Sequence, residues 1–464
     1  MFELRQALGW LDNGVMHGAG HERFTAISTD SRTLPAGCLY IPLRGERFDG
    51  HDFIDQAVDG AAAGYLFETV ERITPPAIQV PDTKRALGEL ARGWRAQFAL
   101  PVMAVLGSNG KTTVKEMLAS IVATGFGEAA SLATQGNLNN DIGVPLTVFR
   151  LNDTHQAAVI ELGMNHPGEI AWLAQIAQPG IAVITNAQRE HQEFLDGVAA
   201  TAHENGEAFN GLPADGIAVY PGDDECAPIW RALAGRRRTV QFGYAEAADR
   251  FDVWATPDSR ADQFALHLPT GVVQVNLQIA GRHNVRNAMA AAATAFAAGL
   301  DADVIAAGLQ AFAPAAGRMR PVKAPRGITL IDDTYNANPD SVRAAIDVLA
   351  DLSGPRVLVL GDMAEVGESG PQWHAEVGEY AREQGIESLL AIGPMSELTV
   401  QAFGAGGEHF ESIEVICRAA LNHCVGQVNV LVKGSRSMRM ERVVAAIAHS
   451  DQTNLAASTP GEAH

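Results

Sequence analysis

Hydrophobic positions along this chain come in short unbroken runs separated by amphipathic stretches. VMAVL at 102–106, AAVIE at 157–161 and IAVIT at 181–185 are apolar at nearly every position, the pattern of strands buried on both faces. Between and after them the period lengthens to that of a helix, at 112–124 and 168–177. Strand, helix and strand in this order predict a parallel sheet covered by helices. The stretch 239–279 differs, because runs such as 264–268 and 272–279 alternate apolar with polar residues. An antiparallel flap is expected there, closed by helices at 284–298 and 302–312. From 328 the alternation restarts, with strands at 328–332, 356–360, 388–392 and 428–432 and helices at 339–352, 371–384, 395–403, 412–423 and 437–448. Ahead of all this, residues 1–80 hold short strands such as 38–43 and 63–67 and a helix at 51–59, and a helix at 84–98 ends before Pro101.

Two clusters of breakers divide these regions: Pro75-Pro76 with Val80-Pro81-Asp82, and Pro314 to Pro325. The expectation is an α/β chain of three domains. A small N-terminal α/β domain covers 1–82, a central parallel-sheet domain with a phosphate loop (P-loop) covers 83–314, and a C-terminal Rossmann-like domain covers 315–450. The polar tail 451–464 is expected to be disordered. The length of 464 residues agrees, at roughly 150 residues per domain. With 34 Lys+Arg against 54 Asp+Glu the formal charge is −20. This argues against a general nucleic-acid binder or an anionic-membrane binder, since both need basic surface. The alanine-rich segment 288–298 is too short to span a bilayer, and the opening MFELRQALGWLDNG lacks the apolar run of an export signal. Cys38, Cys226, Cys417 and Cys424 form no CxxC pair and no zinc spacing, so a reduced, cytoplasmic setting is expected.

The sharpest local signal is Gly107-Ser108-Asn109-Gly110-Lys111-Thr112-Thr113, set between a buried strand and a helix. Backbone N–H groups of such a loop and the helix N-terminus bind phosphate, the lysine reaches the outer phosphates, and the following hydroxyl suits Mg²⁺. The strict spacing is not met, because Val105 stands five positions before Gly110. Alone, the loop leaves kinases, ATPases and ligases open. Glu161 ends the neighbouring strand, where a metal-ligating carboxylate belongs in such a sheet. His166 reads as a loop residue. His191, in the polar run Arg189-Glu190-His191-Gln192-Glu193, fits a second metal ligand, a phosphate contact or a plain surface histidine. Gln135–Gly143, with Asn137, Asn139 and Asn140, suits either a sugar- or phosphate-bearing ligand or an ordinary Asx-turn loop.

Together these segments resemble the Mur ligase family, the ATP-dependent amide-bond ligases of peptidoglycan precursor synthesis, over nearly the whole chain. STDSRT at 28–33 and LRGERFDGHDF at 43–53 look like the family's uridine-nucleotide domain. GSNGKTT, GNLNNDIGVPLT and ELGMNHPGEI look like its ATP domain, and GRHNVRNA at 281–288 like its adenine-contacting segment. Gly317-Arg318, DDTYNANP at 332–339, GDMAE at 361–365 and KGSR at 433–436 complete the likeness. No DNPR run of the diamino-acid-adding branch is present. GNLNNDIG, YNANP and GDMAEVGE are similar instead to the branch that joins D-alanyl-D-alanine to UDP-N-acetylmuramoyl-tripeptide.

The resemblance implies ATP and Mg²⁺ as cofactors and a monomer with those two substrates as partners, without nucleic acid or membrane insertion. It implies that Gly107, Ser108, Asn109, Gly110, Lys111, Thr112 and Thr113 hold phosphate, that Asn287 reads adenine, and that Asp333 or Asn336 meets the ribose side. Arg318 is implied to contact phosphate across an interdomain cleft. Ser31, Arg32 and His51 are implied for the uridine nucleotide, Asn137 and Asn140 for the nucleotide-sugar, and Tyr335, Lys433 and Ser435 for the dipeptide. Catalysis falls to Lys111, Glu161 and His191, with Thr112, Glu161 and His191 as metal ligands. One departure stands out. The family usually has a carbamylated lysine where an ungapped alignment places Asn205, and an asparagine cannot be carbamylated. Water or a nearby acid such as Glu207 is the expected substitute. The other readings are a diamino-acid-adding sister ligase, a folylpolyglutamate synthase-like ligase, a P-loop kinase or switch, and a nucleotide-sugar binder that has lost activity.

Overall fold

The structure, a computed structural model, describes residues 1–190, 193–244, 251–257 and 262–450. Its scaffold is three main sheets, each with helices packed on it. The first has five strands in the order 15–17, 77–79, 62–67, 38–40 and 26–28, parallel except at the 15–17 edge. The central sheet has nine, in the order 271–276, 263–268, 253–257, 238–244, 217–221, 181–184, 102–106, 157–161 and 131–133. The last has six, in the order 320–323, 329–333, 429–433, 356–361, 388–392 and 407–410.

The continuous apolar runs become central strands for a simple reason: both faces are covered, so alternate side chains enter different cores. Met103, Val105, Val159 and Val183 face a core that continues through the helix Arg282–Ala297 to Ile331, Leu358 and Leu431 of the last sheet. Val102, Ala104, Ile160 and Ile184 face the opposite core, shared with Phe2, Leu39, Leu66 and Ile78 of the first unit. Val80, at the first predicted boundary, is buried in that shared core.

Two expectations change. The stretch 239–279 is no separate flap. Arg238–Tyr244 and Val253–Pro257 continue the central sheet in parallel, and only Gln263–Leu268 and Gly271–Asn276 pair antiparallel at its edge. Their alternating pattern reflects one open face at that edge, as at Gly271–Asn276, where only Val275 is buried. The stretch 314–325 is not all linker either, because Arg320–Lys323 pairs antiparallel with Thr329–Asp333 as the edge of the last sheet. The tail 451–464, expected to be disordered, lies outside the described residues. Among the described residues no helix is long and apolar enough to cross a membrane.

Candidate active site

The strand Val102–Leu106 lies between Ala157–Glu161 and Ile181–Ile184, where strand order reverses. Such a reversal opens a crevice at the C-terminal strand ends. The turn that leaves the strand needs glycine twice. Gly107 has φ 118° and Gly110 φ 83°, and a Cβ on them would meet Thr185 Oγ1 at 2.2 Å and Asn287 Oδ1 at 2.4 Å. Only a residue without a side chain fits both the backbone and the space. The helix Lys111–Phe126 starts on Gly110 without a side-chain cap, which leaves its positive end facing the crevice.

The loop is braced from below. Ser108 N–H donates to Asn186 O at 3.1 Å, and Asn109 N–H donates to Asn186 Oδ1 at 2.9 Å. Thr185 Oγ1 donates to Asn109 O at 2.8 Å. Asn205, 1 % exposed, accepts from Gly107 N–H at 2.9 Å and donates to Thr201 O at 3.0 Å. The position where the family carries its modified lysine thus holds up the phosphate loop. Glu207 faces away and accepts from Asn210, so the expectation that it replaces the lysine fails: it projects from the far side of the same helix.

Lys111 Nζ donates to Gly107 O at 2.5 Å, Ser108 O at 2.8 Å and Glu190 Oε2 at 3.0 Å. Thr112 Oγ1 donates to Glu161 Oε1 at 3.2 Å, and Asn139 Nδ2 donates to the same oxygen at 2.8 Å. Glu161 is 1 % exposed, and its Oε2 is buried without a hydrogen-bond partner. A buried carboxyl oxygen left unpaired in this way calls for a cation. A hydroxyl and a carboxylate side by side are hard oxygen donors that suit Mg²⁺, with phosphate oxygens and water completing the shell. Among the described residues no cluster of three His, Cys, Asp or Glu side chains suited to a metal occurs. His191 lies outside the described residues.

The last sheet supplies the opposite wall. Arg318 stacks on Tyr335, 3.7 Å from the ring centre, and its Nη2 donates to Thr112 Oγ1 at 3.0 Å. Lys433, 3 % exposed, donates to Asp333 Oδ2 at 2.7 Å and Asn336 O at 2.9 Å. Asp333 Oδ1 accepts from Met319 N–H at 3.0 Å, which fixes the segment carrying Arg318. Asn287 Nδ2 donates to Asn284 Oδ1 at 3.1 Å. Burial pushes the neighbouring His283 imidazole below its usual pKa, so it presents a neutral ring. Asn109 and Asn338 exchange amide hydrogen bonds at 2.9 and 3.2 Å. Arg189 donates to both oxygens of Asp340 and to both of Glu376.

The result is a cleft of about 830 Å³. Of the residues expected from the sequence, it gathers Ser108 to Thr113, Asn137, Asn140, Glu161, Asn287, Arg318, Asp333, Tyr335, Asn336 and Lys433. Asn140 Oδ1 also accepts from Gly143 N–H at 2.8 Å, at the start of the helix Gly143–Val148. Gly107 and Ser435 do not line it. Gly107 spends its N–H on Asn205, and Ser435 is buried with its Oγ accepting from Ala364 N–H at 2.6 Å, so its hydroxyl shapes the GDMAE loop instead. Ser31, Arg32 and His51 sit on the first unit, apart from this cleft. Ser31 hydrogen-bonds Tyr40, and Arg32 clamps Asp30 and holds its carboxyl down to about 2. His51 Nδ1 lies 2.6 Å from Asp49 Oδ1, and its Nε2 accepts from Glu68 N–H at 3.3 Å. Both ring nitrogens are therefore engaged inside the fold. Sequence reasoning offered Asn139 only as one of three loop asparagines, and it missed Arg189, Glu190 and Asp340 as lining residues. Their signal was present in the polar runs around Asn139 and Arg189, but nothing there named their partners.

Three family models match the chain: the Mur ligase family catalytic domain over 23–95, the Mur ligase middle domain over 105–295 and the Mur ligase glutamate ligase domain over 317–436. The chain is 43 % identical to the UDP-N-acetylmuramoyl-tripeptide--D-alanyl-D-alanine ligase of Escherichia coli K12, covering 94 % of this chain and 96 % of that one. A crystal structure of MurF from Acinetobacter baumannii superposes with a TM-score of 0.86 at 36 % identity, covering 92 % of this chain and 94 % of its own. MurF ligase from Thermotoga maritima in complex with ADP superposes at 0.82 with 25 % identity, covering 92 % and 97 %.

Proposed function

This chain belongs to the Mur ligase family, and from that premise we propose that it joins D-alanyl-D-alanine to UDP-N-acetylmuramoyl-tripeptide with hydrolysis of ATP to ADP and phosphate. The relatives that support this match over nine-tenths or more of its length, including the C-terminal unit that would hold the incoming dipeptide. The observation that carries the ATP-driven chemistry is one contact across the cleft. Arg318 of the last unit reaches the Thr112–Glu161 pair beside the phosphate-loop Lys111. Reactive groups from two units meet where a phosphoryl group would transfer.

A carboxylate does not condense with an amine at neutral pH, because its oxygen leaves poorly. Phosphorylation of the tripeptide carboxylate by ATP gives an acyl phosphate with a good leaving group. The dipeptide amine attacks, and the tetrahedral intermediate collapses to amide and phosphate. The chain's contribution is positioning and charge neutralisation. Lys111 and Arg318 bring positive charge to the phosphates. Thr112 and Glu161 would hold Mg²⁺, which supplies further charge neutralisation to the transferring group. Asn287 is assigned to adenine, Asp333 and Asn336 to the ribose side, Asn137 and Asn140 to the nucleotide-sugar, and Tyr335 and Lys433 to the dipeptide.

We divide the chain at 82/83 and 314/315, with the uridine-binding surface around Ser31 and Arg32 on the first unit. A monomer suffices, since one chain builds both walls of the cleft. All four cysteines are free, in keeping with a reduced, cytoplasmic setting. The test is phosphate release from ATP with the nucleotide-tripeptide, with and without D-alanyl-D-alanine, and the product mass. Release requiring both, with a pentapeptide product, is expected. Release with a single amino acid instead points to a sister ligase, and ATP binding without release for any acceptor overturns the ligase reading.

A further inference from the structure

The cleft contains a pairing that competes with phosphate for Lys111. An ammonium has three hydrogens, and those of Lys111 are spent on Gly107 O, Ser108 O and Glu190 Oε2. The two carbonyls belong to the loop that cradles phosphate. Glu190 does not: it arrives from the loop after the strand Ile181–Ile184 and is 8 % exposed. Its neighbour Arg189 bolts that loop to Asp340 and Glu376 of the last unit. The carboxylate is therefore delivered to the lysine and held near it from the far side of the cleft.

An entering phosphate must take one of these three places, and Glu190 is the partner whose charge it replaces. The displaced carboxylate cannot go far, because Arg189 anchors it. It then stands beside the phosphates together with Glu161, whose Oε2 is already buried without a partner. Two carboxylates and a polyphosphate in one water-poor cleft repel strongly unless a cation lies among them. We propose that Glu190 is a positioning residue that makes nucleotide binding depend on a divalent cation: it pairs with Lys111 and, once displaced by phosphate, turns to a cation carried in with the nucleotide. Asn205 offers no negative charge for that purpose, since its amide is committed to Gly107 N–H and Thr201 O. This rests on the nucleotide reading of the cleft given above.

The test is calorimetric titration of ADP and of a non-hydrolysable ATP analogue into wild type and Glu190→Gln, in Mg²⁺ and in EDTA. Glutamine keeps the shape and an acceptor for Lys111 but removes the charge. In EDTA the variant is expected to bind about tenfold more tightly than wild type, and in Mg²⁺ this gain is expected to vanish or reverse. A purely structural glutamate would leave the ratio of the two dissociation constants unchanged on substitution, and that result overturns the proposal. Should the glutamine variant misfold by thermal melting, Glu190→Ala is titrated in the same way with the same expected direction. Wild type that binds neither nucleotide even in Mg²⁺ would defeat the nucleotide reading itself, whereas equal metal dependence in wild type and variant defeats only the role of Glu190.

Discussion

At the scale of single residues, the cleft separates groups that carry charge from groups that hold others in place. Glu161 is the first kind. Glu161→Gln keeps an acceptor for Thr112 and Asn139 but removes the anion beside the unpaired oxygen. Turnover is expected to fall by about 100-fold or more, with the melting temperature little changed, and steady-state kinetics beside a thermal melt checks both. Asn205 is the second kind. Asn205→Ala strips Gly107 N–H of its buried acceptor, an omission that costs about 1–3 kcal/mol. Urea denaturation should show that loss, and an unchanged midpoint would remove Asn205 from the loop's support. The same distinction explains what was legible. The glycines of the phosphate loop, Lys111, Thr112 and Glu161 could be found because local geometry demands those residue types at those positions. Glu190 and Arg189 could not, since their meaning lies in partners 79 and 151 residues away. Ser435 and His51 show that a polar residue in a motif also serves the loop that displays it: Ser435 Oγ accepts from Ala364 N–H and His51 Nε2 from Glu68 N–H.

At the scale of elements, long apolar runs were readable and short or small-residue ones were not. Val102–Leu106, Ala157–Glu161 and Asn429–Lys433 are buried at every position, and burial on both faces leaves a continuous apolar signature. The helix Gly197–Asn210 carries Thr, His, Glu, Asn and Gly throughout, so its periodicity is faint although it bears Asn205. Ser131–Ala133 and Gly407–Phe410 are edge strands too short to show alternation. One element contact has a pH signature. His374, on the helix Gly370–Glu383, is wholly buried, its Nδ1 hydrogen-bonds Gly370 O, and its Nε2 accepts from Met363 N–H. This is the neutral ring, and burial holds its pKa below 6.5. Above that value folded and unfolded forms are both neutral and the contribution to stability is complete. As pH falls below it, the unfolded chain takes a proton that the folded chain refuses, and stability declines until the folded ring also titrates. Urea midpoints measured from neutral pH downward should therefore fall more steeply in wild type than in His374→Phe, whatever the difference in their starting values. Parallel curves would mean that His374 does not titrate across unfolding.

At the scale of the whole molecule, the two junctions are unlike. The first unit shares a continuous core with one face of the central sheet, and Val80 lies within it. Motion there would expose apolar surface. The second junction is narrowed by the strand Arg320–Lys323, which belongs to the last sheet, so a hinge there is confined to the few residues after Phe312. Across the cleft mouth the last unit is held by polar contacts: the Asn109–Asn338 pair, Arg318 on Thr112, and Arg189 on Asp340 and Glu376. Burial opposes the charge on Arg189, but its hydrogen bonds to Asp340 and Glu376 outweigh that and raise its pKa. The Arg189 hydrogen bond in turn depresses the Glu376 carboxyl below its usual 4.5. A depressed carboxyl keeps its contribution above that value and loses it as pH falls through the lower folded value, so the latch should be indifferent to pH across the neutral range. Arg189→Ala removes the latch and, with it, the anchor of the neighbouring Glu190 that pairs with Lys111. The balance should shift toward open forms by about 1–2 kcal/mol, a network of partly buried charged hydrogen bonds being worth roughly that much. In small-angle scattering the variant should have the larger radius of gyration, and saturating nucleotide analogue with UDP-N-acetylmuramoyl-tripeptide should restore much of the compaction. The apparent KM for nucleotide should rise more than kcat falls, because closure is assisted by ligands that bridge the two walls. Identical scattering from wild type and variant, with and without ligands, would show that the shared apolar core joining the central and last sheets holds the cleft closed without help from Arg189.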